Sequence, residues 1–178
     1  LRSALAIATH LGEDRPRWKE KGKRLIQVLK NNPEAFAPKE RWAMDWYYPV
    51  LTGVLQGTTG LDRLNAKREE FEISHKGIRC VSDRPWVTTA ETCECAMAYL
   101  AVGERTHAIE LFTRIQDYRD NSGKYLTGVV YPENVSFPEN EYSTYSAAAV
   151  ILTADAIQGE TQAANMFADH SFLPSLDE

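Results

Sequence analysis

Hydrophobic and polar positions along this chain sort into two kinds of helical segment. In the first kind apolar residues run nearly all the way round the helix. Ser3 to Leu11, Trp42 to Gln56, Thr89 to Val102 and Thr144 to Gln158 have this character. In the second kind a single apolar stripe faces charged flanks. Arg15 to Asn31 carries Trp18, Leu25, Val28 and Leu29 on its stripe, Leu61 to Phe71 turns Leu61, Leu64 and Phe71 inward, and Glu104 to Arg119 groups Ala108, Leu111, Phe112 and Ile115. The breaks fall at Gly12, at Asn31-Asn32-Pro33 and at Gly57-Thr58-Thr59-Gly60, with Phe36 to Glu40 as a linker. Pro49 lies in a first turn or marks a kink. Gly77 to Asp83 alternates as an extended segment. Tyr125 to Tyr131 has strand character, Pro132-Glu133-Asn134 turns it, and Val135 to Phe137 pairs back as a small hairpin. A weakly patterned tail follows Gly159, with one short helix over Thr161 to Ala168.

The two kinds alternate, and each apolar helix ends at a glycine followed by polar residues: Gly12, Gly57, Gly103 and Gly159, at intervals of 45, 46 and 56 residues. The longest interval contains the hairpin. A period near fifty that holds two helices of opposite character is a helical repeat. Helices apolar all round need cover on both sides, which a ring supplies and an open solenoid does not. The expected fold is therefore all-α: an alpha/alpha toroid of antiparallel helical hairpins, with a small β-hairpin near residues 125–137. The chain holds about three and a half helix pairs, begins at Leu1, and opens on a segment that reads as the later part of a helix. The expectation is thus one domain over residues 1–178, an incomplete ring lacking N-terminal repeats, whose open edge would allow self-association.

Composition adds exclusions. With 43% hydrophobic and 25% charged residues and a net charge of −5, neither disorder nor a broad nucleic-acid surface is expected. The longest apolar run, Ala147 to Leu152, is too short for a membrane span, and no secretory leader pattern is present. Three cysteines, an odd number, suit a reducing compartment and a cytoplasmic location. Cys93 and Cys95 diverge on a helix and the histidines are scattered, so neither a metal nor another cofactor is expected. A solvated helix face accounts for the basic stretch from Arg15 to Lys30, with an anionic partner as the alternative.

Four segments carry a family resemblance: Met44 to Leu51, Gly77 to Glu94, Arg119 to Gly128 and Ser143 to Ala156. They resemble bacterial prenyltransferase-like proteins of the terpenoid cyclase and protein prenyltransferase superfamily. The resemblance implies an alpha/alpha toroid whose central cavity binds or transforms an isoprenoid or lipid-like substrate. The acidic motif of squalene-type cyclases and the zinc set of protein prenyltransferases are not visible.

Candidate chemistry gathers where the apolar helices begin. Glu91, partly buried at the start of the central helix, would have a raised pKa suited to acid work. The same residue also completes a capping box with Thr88. Asp45 occupies the matching position one repeat earlier and Asp83 lies near the same rim; each has a structural reading too, as a cap and as an ion-pair partner of Arg79 or Arg84. Trp42, Trp46, Tyr48, Arg79, Trp86, Tyr125, Tyr131 and Tyr145 are the candidate binding residues. Aromatic faces stack on sugars or stabilise cations, although such stripes also serve as plain core. Two alternatives to the isoprenoid reading follow: a glycoside hydrolase-like toroid using Asp45 and Glu91 on a sugar, and a non-catalytic scaffold.

Overall fold

The computed structural model describes residues 1–168, 174 and 176. These are mostly helical with two small sheets, and they fall into two compact units. One comprises Leu1–Pro38 together with described residues near the C-terminus; the other runs from Lys39. The tail and His170 otherwise lie outside the described residues.

In the first unit, α1 (Arg2–His10) and α2 (Pro16–Asn31) form a hairpin, followed by a 3₁₀ turn at Pro33–Ala35. Pro16 opens α2 at the one turn where a missing N–H costs nothing. Leu5, Ala8 and Ile26 are buried, while Ile7 and Leu11 are exposed, so α1 is not covered all round.

In the second unit, α3 (Ala43–Leu51), α6 (Thr89–Ala101) and α8 (Thr144–Gln158) pack side by side, with α6 in the middle. Two further helices flank them: α4 (Gly57–Ala66) against α3, and α7 (Arg105–Arg114) against α6. Short α5 (Arg68–Phe71) and α9 (Asn165–Ala168) complete the helices. The Gly57 to Gly60 stretch, expected as a break, instead opens α4. Its Gly60 is buried where an added Cβ would lie 2.8 Å from a Val102 methyl. Pro49 sits inside α3 near its end. Ser143 caps α8 by accepting from the Ser146 amide at 3.1 Å, and Gly159 ends that helix in the left-handed conformation.

Of these helices, α6 is buried almost around its whole circumference, from Thr89 to Tyr99 with only Glu91 partly exposed. By contrast α8 leaves Tyr145 and Ile151 exposed. The core is built from Trp46, Tyr47, Val50, Leu64 and Phe71 against Cys95, Met97, Tyr99, Ala108 and Leu111. Strands β1 (Glu72–Ile73) and β2 (Gly77–Ile78) form one antiparallel hairpin. The expected 125–137 hairpin is present as β4 (Gly128–Val130) and β5 (Val135–Ser136), with Val129 opposite Ser136. It gains a third strand, β3 (Trp86–Thr88), paired so that Trp86 lies opposite Val130 and Thr88 opposite Gly128. At that last pair the strands approach so closely that a Cβ on Gly128 would lie 2.5 Å from the Val87 carbonyl.

A buried ion network ties the β1 edge to α7. The Glu72 carboxylate accepts from Arg114 at 2.6 Å, from Arg68 at 2.9 Å and pairs with His107 Nε2 at 3.0 Å. The side chain of Glu72 is 6% exposed. Three partners overcome the burial cost and hold its pKa at about 2, below the ordinary 4.5. The His107 ring also meets Tyr99 edge-on, with centroids 4.5 Å apart.

Candidate active site

Strand β3 runs directly into α6, and the junction is fastened at several points. The Thr89 amide donates to the Thr127 carbonyl at 3.0 Å, and its hydroxyl donates to Leu126 O at 2.6 Å. Thr92 Oγ1 donates to Thr88 O at 2.7 Å and accepts from the Ile78 amide at 2.9 Å, which pins β2 against the helix. Gly77 lies in this contact with φ +140, and a Cβ there would lie 2.6 Å from Thr92 Oγ1. Thr88 has the extended backbone of an N-cap, yet its side chain makes no capping bond and its buried hydroxyl has no partner. The expected capping box is therefore not closed by Thr88.

One turn into α6 stands Glu94, a carboxylate only 9% exposed. Such a group needs partners to stay buried. Tyr47 on α3 donates to its Oε2 at 2.6 Å, and Tyr145 on α8 donates to its Oε1. Burial and the charge of Glu94 raise the pKa of Tyr47 far above 10, and burial and the bond to Glu94 do the same for Tyr145. Both phenols therefore hold their protons and serve as donors. Tyr48, at the exposed end of this cluster, is raised by burial and then by Glu94.

Glu91 precedes Glu94 by three residues and so lies on the same helix face. Its pKa is raised, first by burial and then by the negative charge of Glu94. The Thr88 side chain and the residue's own amide work against this. Burial outweighs both, and the Glu94 charge is the smallest of the four influences. Beside it, the Cys80 thiol is pushed up to about 11 by burial and by Glu91. Leading inward from Glu94 is a half-open cavity of about 110 Å³ between α3, α6, α8 and α9. Met97, Leu51, Ala148, Ala149, Leu152 and Phe167 line it, with Glu94 and Tyr145 at its polar end.

The other expected site residues are distributed as follows. Trp42 pairs with Val81 through the backbone, is 44% exposed and carries the Arg41 guanidinium 5.1 Å over its ring. Asp83, also exposed, is bound by Arg41 at 3.0 Å rather than by Arg79 or Arg84. Trp86 is half-buried and stacks on Phe137 with centroids 4.3 Å apart. Arg79 bonds the Ser82 carbonyl at 3.3 Å. Tyr131 is exposed at the end of β4, whereas the Tyr125 hydroxyl turns to Gln116 at 2.7 Å. Asp45 faces Arg63 at 3.8 Å. Trp46 is fully buried, stacks on Phe71 and donates to Arg63 O at 2.9 Å, so its ring belongs to the core. Glu91, Tyr48 and Tyr145 thus gather in one place, together with Glu94 and Tyr47. Sequence reasoning counted Tyr47 only among the aromatics at the helix starts and passed over Glu94. The signal for Glu94 was present: an acid in the middle of a largely apolar helix must have buried partners. Among the described residues no group of three or more His, Cys, Asp or Glu could hold a metal ion, and no helix is long and apolar enough to cross a membrane.

No family model matches the chain. A curated relative does: it is 44% identical to MMP endo-(1,4)-3-O-methyl-alpha-D-mannosidase of Mycolicibacterium hassiacum over 167 residues. The match covers 94% of this chain and 46% of the relative, so the chain spans about half the length of the curated protein it matches. This overturns the prenyltransferase-like resemblance and the isoprenoid or lipid-like substrate it implied, because the relative is named as a glycosidase.

Proposed function

We propose that this chain forms part of the catalytic site of a glycoside hydrolase acting on an α-mannoside, with Glu91 and Glu94 as its working carboxylates. Glycoside cleavage requires an acid to protonate the leaving oxygen and a negative charge to stabilise the oxocarbenium-like transition state. Glu91 is the proton donor, since burial and Glu94 favour its protonated form. Glu94, clasped by the Tyr47 and Tyr145 hydroxyls, faces the developing positive charge. Trp42 and Trp86, with ring surface open to solvent, offer stacking faces for neighbouring sugar units. The observation that carries the reading is the pairing of these two carboxylates on one face of α6, with Glu94 at the polar end of a cavity. The name of the relative, a mannosidase, supplies the sugar.

The same proposal includes a partial alpha/alpha toroid. Its support is the row of α3, α6 and α8 side by side, with α4 and α7 packed against its members. Three free cysteines support a reducing, cytoplasmic setting.

The test is an assay of the intact protein on a (1,4)-linked oligomer of 3-O-methyl-α-D-mannose, following new reducing ends. Wild-type protein cleaves it, and the rate falls as pH rises through the raised pKa of Glu91, because the proton to be donated is then lost. Glu91→Gln lowers kcat by about 10²- to 10⁴-fold while the folded state is retained. Cleavage at an undiminished rate by Glu91→Gln would remove Glu91 from the mechanism.

A further inference from the structure

We infer that Tyr145 is a catalytic residue: its hydroxyl, bonded to Glu94, is the group through which that buried carboxylate acts on the sugar. The inference rests on the glycosidase reading above and specifies how Glu94 reaches the reacting carbon. Its basis is the unequal setting of the two phenols that clasp Glu94. Tyr47 is fully buried, and its bond to Glu94 Oε2, 2.6 Å long, lies inside the protein. Tyr145 is 52% exposed, and its bond to Glu94 Oε1 is only partly covered. Glu94 itself is 9% exposed, with a phenol on each oxygen. A sugar ring arriving from solvent therefore meets Tyr145 before it meets the carboxylate.

The chemistry of a phenol suits that place. A tyrosine hydroxyl has one proton and lone pairs besides. The Tyr145 proton is committed to Glu94 Oε1, so the lone pairs are directed away from the carboxylate. Tyr48 on α3 lies close enough to engage one of them, which leaves another for the sugar. Donating to a carboxylate polarises the phenol, so its oxygen becomes a better partner for positive charge. As the glycosidic bond lengthens and the ring becomes positive, that oxygen stabilises it while the proton stays on Tyr145. No bond from Tyr145 to the sugar is formed. Position agrees with this division of work. Glu91 and Glu94 rise from one face of α6, whereas Tyr145 comes across from α8. Two groups that must flank one scissile bond are thereby supplied by neighbouring helices, not by a single turn.

The experiment compares Tyr145→Phe and Tyr47→Phe with the intact wild type on a (1,4)-linked 3-O-methyl-α-D-mannose oligomer, with urea unfolding of each protein alongside. Each variant removes one donor to Glu94, so a role confined to holding the carboxylate affects both. Tyr145→Phe is expected to lower kcat by about 10²- to 10³-fold with KM changed by less than about threefold. Tyr47→Phe is expected to lose less than about tenfold in kcat, yet to lower the urea midpoint more, because its bond is the buried one. Phe keeps the half-exposed ring of Tyr145, and the urea midpoint verifies that the variant is folded. An undiminished kcat in Tyr145→Phe overturns the assignment and leaves the glycosidase reading standing. So does a loss in Tyr47→Phe that equals or exceeds it, since Tyr145 then only holds Glu94. A loss confined to KM overturns it as well, because the hydroxyl then serves ground-state binding. Failure of the wild type to cleave the oligomer overturns the glycosidase reading and the role of Tyr145 together.

Discussion

Protonating Glu72 should cost this protein a measurable part of its stability, and the amount can be worked from the network around it. The Glu72 side chain is 6% exposed and bound by Arg114, Arg68 and His107. These partners hold its pKa at about 2 against an ordinary 4.5. A gap of about 2.5 units corresponds to roughly 3 kcal/mol of stability. Because the folded pKa is the lower one, that contribution is complete above about pH 4.5 and is lost as pH falls toward about 2. Urea unfolding of the wild type, followed from about pH 6 to about pH 3, should show the loss beginning below the ordinary carboxylate pKa. Other acids titrate over the same range, so the informative quantity is the difference from Glu72→Gln. That variant should be less stable by about 3 kcal/mol near neutral pH, since it strands the largely buried Arg114 guanidinium. The difference should then shrink steadily toward acid, as Glu72 of the unfolded wild type takes up a proton that the folded protein does not bind. A difference between the two proteins that stays constant across the whole range would refute the assignment of the low pKa to Glu72.

Removing a donor to Glu94 tests the tyrosine clamp. Tyr47→Phe should cost about 1.5–3 kcal/mol in denaturant unfolding, the range for a hydrogen bond to a charged group; a cost near zero would show that Glu94 does not rely on it. Gly77→Ala should destabilise by more than about 1 kcal/mol, from a positive φ and a 2.6 Å approach to Thr92 Oγ1. Hydrogen exchange at the Ile78 amide should speed up in that variant, and unchanged protection there would contradict the described contact.

Part of the candidate site is legible in the order of residues alone. Glu91, Tyr48 and Tyr145 stand where apolar helices begin, which is what singles them out, and the fold brings them together. Trp46 shows the limit of that rule. It is adjacent in sequence to Tyr47 and Tyr48, yet the 100° step per helical residue turns its ring to Phe71. Asp45 shows the same limit, since only the fold reveals that Arg63 on α4 reaches it. Family resemblance read from short segments misled about substrate, because segments that shape a helical core are shared by proteins of different chemistry.

By itself the sequence determined most of the helical segments, the hairpin near residue 130 and the glycine that ends α8. These depend on periodicity and local backbone preference, which are properties of neighbouring residues. Only the tertiary structure decided that β3 joins the hairpin, that Glu94 is the carboxylate clasped by Tyr47 and Tyr145, and that Glu72 gathers three basic partners. Apart from the Arg68–Glu72 pair, four residues apart, each of those contacts joins residues far apart in the chain. Their energy comes from burial and mutual desolvation, which no stretch of sequence possesses until the elements pack.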